Sequence, residues 1–334
     1  MTFKPFGELK VTTTTQIATF MNGSFDLDLI FNSVEPSPLV TPPIKSRFDS
    51  SHYSGVVPYG TILHVKFKHQ EKGVTFKRKK KQVANQILSK RSFFLNAVCF
   101  VIHLDKMVNF KLTKRKFQIT GCKTSQQSHE LVKHMFTVFQ TLNPGCVQCE
   151  NGPPMFVFNT VMTNIDFNLN FFVDRTNLDK LFSDEASFIS LLENSFGHAG
   201  VNIKHASPKK DKELTCITYD APGWTTASVE WGEYLAKCTP KERENEHKKM
   251  KLHTFLVFHS GRGIHSGPSY NEMEQVYNLF MQTLFAKKDI YRVEETLIKA
   301  DVNLNAKSRR DAEEMRIKNE GIKSLAAQVV STST

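Results

Sequence analysis

Two short motifs in this sequence contain residue types that bind metals or phosphate groups. Cys146 and Cys149 form a CxxC pair, but zinc requires four ligands and there is no second CxxC. Residues 261–263 read Gly-Arg-Gly, yet Gly267 lies one position too far along to complete a GxGxxG loop. We therefore interpret the cysteines as linker residues and the glycines as part of a hairpin turn.

Acid–base and nucleophilic chemistry lack a complete set of residues as well. Asp26 and Asp28 are paired carboxylates, but no neighbouring residue completes a metal or acid–base site, which favours a solvated strand face. None of the 12 histidines has the spacing of a metal ligand, and we find no nucleophile motif. The sequence predicts a protein that is not an enzyme and uses no metal, cofactor or small-molecule substrate.

Positive charge is the feature that points most directly to a ligand. The net charge is +11, and residues 64–123 contain sixteen Lys or Arg but only two acids, which gives this segment a charge of +14. The rest of the chain is therefore slightly acidic. Such a concentrated basic region favours a polyanion, either nucleic acid or an anionic membrane surface, although the densest run, residues 77–81, is typical of a solvated loop.

The remaining composition is that of a globular intracellular protein. The first ten residues lack the apolar core of a signal peptide, and the longest apolar stretch, residues 93–104, is interrupted by Asn96 and His103. Six cysteines in so long a chain favour reduced thiols. The 27 phenylalanines favour β-rich packing or an exposed aromatic surface. We expect a protein that is neither secreted nor membrane-bound.

The first half of the chain predicts strands followed by one long helix. Apolar alternation predicts strands within residues 12–31 and at 61–69, 96–104, 108–112 and 116–121, with a Pro/Ser/Tyr-rich loop or insertion at 36–60. After Gly121 the apolar residues recur every three or four positions from Leu131 to Leu142, which indicates an amphipathic helix. Asn143-Pro144-Gly145 ends it.

The second half repeats this order. Its strands are predicted through 165–171 and at 201–205, 214–219, 252–258 and 264–266, with helices from Asn177, near 188–192 and at 271–284. Both closing helices end on Gln-Thr-Leu, at residues 140–142 and 282–284. Together with the shared order of strand, turn, strand, glycine and helix, this favours an internal duplication.

The duplication defines a predicted organisation along the chain. An extension (1–11) precedes a first repeat (12–145, with insertions near 36–60 and 70–90), a linker (146–155), a second repeat (156–286, with an insertion near 220–250) and a charged helical or disordered tail (287–334).

Three segments resemble the TATA-box-binding protein family. They are NFKLTKRKFQITGCKTSQQSHELVKHMFTVFQTL from Asn109, TFLVFHSGRGIHSGPSYNEMEQVYNLFMQTL from Thr254, and IATFMNGSFDLDL from Ile17. The first two show that family's apolar strand, hairpin turn, strand ending near a glycine, and long helix; the third is similar to its opening strand. The likeness covers roughly residues 12–285, with large insertions similar to those of members carried by large DNA viruses.

The resemblance implies an α+β fold, a two-repeat saddle whose curved antiparallel sheet carries helices on its convex face. The concave face of such a saddle lies on a widened DNA minor groove, where apolar side chains wedge between base steps and basic residues contact phosphate. It also implies a transcription initiation factor that bends duplex DNA and recruits a polymerase or accessory factors. Its place of action would be the nucleus or, for a viral protein, the site of viral transcription.

Residue by residue, the resemblance assigns DNA-binding positions in both repeats. In the first repeat these are the strand residues Gln16, Ala18, Gln118 and Thr120, the wedge positions Leu95 and Leu112, and the phosphate contacts Lys114, Arg115, Lys116 and Lys123. In the second repeat they are Asn159, Val161, Phe258, Arg262, Ile264 and Ser266, with Leu214 as a weaker partner for Phe258. Alternation through Ile165 to Phe171 predicts that Asn159 faces the core unless a bulge intervenes.

Two other functions stay open from the sequence. Leucine at two wedge positions offers less stacking area than phenylalanine, which favours an interaction or scaffold protein that keeps the saddle without sequence-specific DNA binding. Related saddles also occur beside DNA glycosylase domains, but we find no helix-hairpin-helix with a catalytic aspartate.

Overall fold

A computed structural model describes residues 3–37, 57–74, 94–193, 200–207, 213–220, 223–248, 251–268, 270–287 and 292–293. The chain divides into two compact units. Unit 1 comprises Met1–Phe167, Lys204–Phe255 and Ile264–Leu279, and unit 2 comprises Asn168–Ile203, Leu256–Gly263 and Phe280–Thr334.

The first half of the chain consists mainly of strands, with two helices. Its elements are β1 (Val11–Phe20), β2 (Gly23–Phe25), α1 (Leu27–Ser33), β3 (Thr61–Phe67), β4 (Gln70–Gly73), β5 (Val98–His103), β6 (Met107–Leu112), β7 (Lys116–Cys122), α2 (Ser125–Leu142) and β8 (Val147–Cys149). Short 3-10 turns lie at Phe6–Glu8 and Pro144–Cys146.

The second half alternates strands and helices more evenly. Its elements are β9 (Met155–Asn168), β10 (Phe172–Val173), α3 (Arg175–Ser183), β11 (Ile189–Glu193), β12 (Gly200–Ala206), β13 (Glu213–Asp220), β14 (Gly223–Glu230), α4 (Trp231–Lys237), α5 (Pro240–Lys248), β15 (Leu252–Phe258), β16 (Arg262–Gly267), α6 (Tyr270–Ala286) and β17 (Arg292–Val293). The protein is therefore α+β, as the sequence predicts.

One large sheet supplies most strands of unit 1. The full strand order of this sheet is β11-β12-β15-β16-β9-β1-β7-β6-β5-β3-β4, and β13 pairs with both β9 and β14. The pairings β1–β7, β1–β9, β5–β6 and β6–β7 are antiparallel. The order β1-β7-β6-β5-β3 outward from β1 is mirrored by β9-β16-β15-β12-β11 outward from β9. In each case the opening strand pairs with the strand that precedes a long helix.

The core of unit 1 lies between this sheet and the helices α1 and α2. Each of the strands β5, β6 and β7 carries a buried phenylalanine, at Phe100, Phe110 and Phe117 respectively. The rings of Phe100 and Phe110 stack at a centroid distance of 4.6 Å. Phe136 and Phe139 of α2 pack in the same core. The abundant phenylalanines thus serve largely as β-sheet and helix packing, where each ring buries a large apolar area.

Unit 2 has a smaller apolar core of its own. Phe182 of α3 stacks on Phe280 of α6 at a centroid distance of 5.0 Å, and Phe188 meets both rings edge-on. Strand β11 pairs with β12, and β10 pairs with β17. The turn between β15 and β16 contains Gly261, which adopts a φ of +75°.

The structure confirms most of the predicted elements and corrects several. Helix α1 replaces the second part of the strand predicted within residues 12–31, and β11 is a strand where a helical stretch is predicted near 188–192. The predicted insertion near 220–250 contains β14, α4 and α5. The basic run at 77–81 and most of the predicted loop at 36–60 and of the tail from 287 lie outside the described residues.

Candidate nucleic-acid interface

The strands of unit 1 have two chemically different faces. One face packs on α1 and α2 through apolar side chains such as Val108, Phe110 and Ile119. Because side chains alternate along a strand, the intervening residues of β6 and β7 point to the other side. On that side Asn109, Gln118 and Thr120 are exposed, and Lys111 is partly exposed. We call this side the open face.

The strand register joins the central residues of the open face into one row. Direct cross-strand pairs connect Lys66 with Cys99, Cys99 with Lys111, Lys111 with Gln118, Gln118 with Ile17, and Ile17 with Asn159. Side chains of such pairs lie about 5 Å apart, so these six residues form a continuous line across six strands, which we call the polar row. Its Lys and Gln side chains offer cations and an amide group at the surface, whereas Asn159 is buried. Burial raises the pKa of the Cys99 thiol and favours its neutral form.

A β-bulge brings Asn159 to the open face. The register of β1 against β9 shifts between Thr15 and Gln16, so that Thr15 pairs with Met162 and Gln16 with Thr160. The shift reverses the alternation along β9, since Phe158 and Ile165 both lie in the core although seven positions separate them. Asn159 consequently faces Ile17 and is 4% exposed, and Val161 is 38% exposed. This is the bulge that the predicted position of Asn159 required.

Three other residues assigned to DNA contact lie on the helix-covered face, which corrects their predicted placement. Ala18 and Leu112 are fully buried in the core. Gln16 is 2% exposed, and its Nε2 donates to the hydroxyls of Ser125 (2.8 Å) and Thr160 (2.9 Å). Ile17 and Lys111, the neighbours of Ala18 and Leu112, face the open side instead. Leu214 is also buried, beside Tyr234.

Two exposed apolar side chains precede β5. Leu95, a predicted wedge position, is 64% exposed, and Phe94 is 48% exposed. The Lys111 Nζ lies 3.9 Å from the centroid of the Phe94 ring, so this ring borders the open face. The resemblance does not assign Phe94 to DNA contact, and Phe93 lies outside the described residues. The two adjacent phenylalanines before β5 were the feature of the sequence that could have pointed to Phe94.

The turn between β6 and β7 is basic. Lys114 is exposed, while Arg115 donates hydrogen bonds to the carbonyl oxygens of Met21 (3.0 Å) and Phe20 (3.4 Å). Lys116 Nζ contacts a carboxylate oxygen of Glu242 at 2.5 Å, and Arg115 lies 4.0 Å from the same carboxylate. Lys116 and Arg115, two of the predicted phosphate contacts, therefore already lie against a carboxylate of the protein itself. Lys123, directly after β7, is exposed.

The predicted residues on the second hairpin divide between the two units. In unit 1, Ile264 and Ser266 are partly exposed and alternate with the buried His265. In unit 2, Phe258 is partly exposed and Arg262 is exposed. Their assignment to DNA contact stays a prediction.

The insertion covers one end of the open face. Tyr234 of α4 is 4% exposed, and its hydroxyl lies 3.4 Å from that of Thr19 on β1. Val157, Cys216 and Cys238 complete a small apolar cluster around it. Burial raises the pKa of Tyr234, so its hydroxyl stays protonated at neutral pH. The open face therefore ends at this cluster.

The motifs set aside in the sequence have structural roles. Asp26 caps α1 by accepting from Leu29 N, and Asp28 pairs with Lys68 at 2.6 Å, which corrects the predicted strand face. Cys146 and Cys149 are free thiols. The described residues contain no group of three or more His, Cys, Asp or Glu placed to hold a metal ion. Within the same ranges, no helix is long and apolar enough to cross a membrane.

Comparison with known proteins gives a viral relative. No family model matches the chain. The chain is similar to the "Uncharacterized protein 335L" of Invertebrate iridescent virus 6, with 26% identity over 305 residues that cover 83% of each of the two proteins. The similarity therefore extends over most of both chains.

Proposed function

We propose that this protein binds and bends duplex DNA through the open face, as a transcription initiation factor of the TATA-box-binding type. The polar row carries the proposal. It combines Lys66 and Lys111 with the exposed amide of Gln118 on a β-sheet face that α1 and α2 leave free, and the buried Asn159 continues the row on β9. A surface of this kind contacts phosphate through its cations and base edges through its amides.

The strand order supports a two-repeat saddle. A saddle built from two repeats has the same strand order in each, mirrored about the two opening strands. The strands outward from β1 and those outward from β9 have that relation. The first set is followed by the long helix α2, and the second by the long helix α6. The proposal thus extends the α+β architecture to a duplicated DNA-binding saddle.

The chemistry of the open face suits a minor groove. Minor-groove edges present mainly acceptors, which Asn, Gln and Thr side chains can meet. In unit 1, the exposed Leu95 and Phe94 provide apolar area for insertion at base steps, and Lys114 and Lys123 provide charge for phosphates. In unit 2, the partly exposed Phe258 is a further candidate for insertion. The free energy lost when bases unstack is then offset by the larger protein surface that the bent duplex contacts.

The biological setting belongs to the same proposal. A DNA-bending initiation factor acts with other transcription factors or an RNA polymerase, which would bind the protein away from the open face. The similarity to an iridovirus protein favours viral transcription as the setting, at the site of viral transcription in the host cell or in the nucleus.

Selection from randomised duplexes, followed by fluorescence transfer across end-labelled duplexes, tests the proposal. We expect enrichment of particular sequences and a bend on binding. Lys111→Ala should weaken binding and lower the slope of log affinity against log salt by about 1, because it removes one phosphate contact. Lys133→Ala on α2 removes the same charge from the other side of unit 1 and should leave the slope unchanged. Absence of both affinity and bending at modest salt would exclude this function.

Burial of Leu112 and Ala18 favours a second candidate, an interaction or scaffold protein on the same fold. With these side chains in the core, fewer apolar groups are free to enter base steps. Such a protein would bind partners without bending DNA. The same fluorescence experiment separates the two candidates, since only the first predicts a change in end-to-end distance.

A further inference from the structure

Helix α5 presents a carboxylate to the basic turn of the candidate interface. Glu242 lies in the first turn of α5, and its side chain accepts from the backbone N–H (3.1 Å) and hydroxyl (3.0 Å) of Thr239. Thr239 in turn accepts from Glu242 N, which completes a capping box. The carboxylate is thereby fixed in the orientation in which it contacts Lys116 and Arg115.

The electrostatics of Glu242 indicate a charged group in a partly covered position. Burial alone would raise the pKa of Glu242, but hydrogen bonds from Lys116 and Thr239 outweigh it and lower the pKa below its ordinary value. Carboxylates and phosphates bind lysine and arginine by the same charge-assisted hydrogen bonds. Glu242 therefore occupies Lys116 and Arg115 in the way that a phosphate oxygen would.

Helix α5 contributes no buried side chain among its described residues, 240–246. Helix α4, by contrast, is anchored through the buried Tyr234. Because apolar packing supplies most helix stability in proteins, α5 can separate from the sheet at far lower cost than α4.

We propose that α5 is a displaceable acidic clamp, in which Glu242 competes with nucleic-acid phosphate for Lys116 and Arg115. This inference rests on the proposed function and adds its regulation. Binding of a duplex releases α5 from the sheet. Any change that removes the Glu242 charge favours the state in which α5 is released and Lys116 and Arg115 are available to phosphate. The clamp disfavours weak, non-specific contacts, since each must first displace the carboxylate.

Affinity for a fluorescent duplex at low salt tests the clamp in the full-length protein. Glu242→Gln should bind about 2- to 5-fold more tightly, the range expected for loss of one partly exposed ion pair. Glu233→Gln removes a charge from the exposed surface of α4 in the same insertion and should have a smaller effect. In a Lys116→Met background the gain from Glu242→Gln should shrink markedly, because most of the ion pair is already absent. Hydrogen exchange at residues 240–248 should rise when duplex is added.

The outcomes separate the clamp from the function on which it rests. Equal gains from Glu242→Gln and Glu233→Gln, or an undiminished gain with Lys116→Met, would show a general charge effect and overturn the clamp alone. Duplex-induced protection of residues 240–248 would also overturn it. If neither the native protein nor Glu242→Gln binds duplex, both proposals are wrong. Binding by Glu242→Gln alone would support the clamp in its strongest form.

Discussion

The β6–β7 and β15–β16 hairpins hold corresponding places in the strand order, but their turns differ in chemistry. The first turn has the sequence Thr-Lys-Arg, and Arg115 fixes it to the carbonyl oxygens of Phe20 and Met21. The second has the sequence His-Ser-Gly and follows the partly exposed Phe258. There His259 Nδ1 donates to the Val173 carbonyl oxygen at 2.8 Å. The first hairpin offers positive charge, whereas the second offers apolar area and a tight turn.

The helix-covered sides of the two hairpins differ as well. Phe110 and Ile119 form an apolar pair at the centre of the first hairpin. At the centre of the second, Phe255 stacks on His265 at a centroid distance of 4.0 Å, and His265 Nε2 lies 3.3 Å from His253 Nδ1. The two hairpins therefore pack through cores of different composition. In the proposed complex, the first half would supply electrostatic attraction and the second half insertion between bases, which would fix the orientation of the protein on DNA.

The largest expected effect comes from the histidine pair. Burial lowers the pKa of His265 to about 3, and the neighbouring His253 lowers it further. Burial also lowers the pKa of His253 to about 4, an effect that Glu272 opposes and His205 reinforces. Both values lie below the ordinary 6.5, so the unfolded chain takes up protons first as pH falls. The free energy of unfolding should therefore decrease from about pH 6.5 downward, by roughly 2 to 4 kcal/mol at pH 5.

Denaturant unfolding at several pH values measures this loss. His265→Phe keeps an aromatic ring against Phe255 and removes one titrating group, so its stability should depend less steeply on pH than that of the native protein. Parallel curves for the native protein and His265→Phe would contradict the assignment.

A smaller loss is expected from the turn of the second hairpin. Gly261 has a φ of +75°, and a Cβ there would collide with the Phe171 carbonyl oxygen, so Gly261→Ala should cost roughly 3 kcal/mol of stability. Gly152 has a similar φ of +71° but open space around it, and Gly152→Ala should cost only about 1 kcal/mol. Thermal unfolding measures both. Equal losses would mean that the contact with Phe171 contributes nothing.

Much of the fold follows from local patterns in the sequence. Alternation sets β5, β6 and β7, the three- and four-residue spacing sets α2 and α6, and Gly261 sets the second turn. The secondary structure of residues 27–33 was harder to predict, because Asp26 followed by Leu27 and Leu29 fits both an alternating strand and a capped helix. The Asp26 cap and burial of Leu27, Ile30 and Phe31 decide for the helix.

The candidate interface was less predictable, because its face depends on tertiary register. A one-residue shift moves a side chain to the other side of a sheet, and the bulge in β9 is visible only once β1 is paired with it. The alternation of Asn109 and Lys111 with Val108, Phe110 and Leu112 already pointed to the open face. The family resemblance assigned Leu112 to DNA contact instead. The contact of Glu242 with Lys116 spans more than a hundred residues and has no local signal.

The smallest expected effects compare the two hairpins on DNA. Lys116→Ala should lower the salt slope of duplex binding by about 1 and change the bend angle little, because the residue supplies charge. Phe258→Ala should reduce the bend more than the salt slope and cost about 1 kcal/mol of affinity at any salt concentration, because the ring supplies stacking area. Both variants are made in the Glu242→Gln background, so that the ion pair with Lys116 does not mask the first effect.

Fluorescence transfer and salt titration on one duplex give the two readouts together. Lys133→Ala on α2 serves as the charge control, and Phe172→Ala, a partly exposed ring beside His259, serves as the aromatic control. If Lys116→Ala and Phe258→Ala change slope and bend in the same proportion, the two hairpins share one role and the division between charge and insertion is wrong. If only the first variant has an effect, DNA contact is confined to the basic hairpin, and the second half of the chain is free to bind a protein partner.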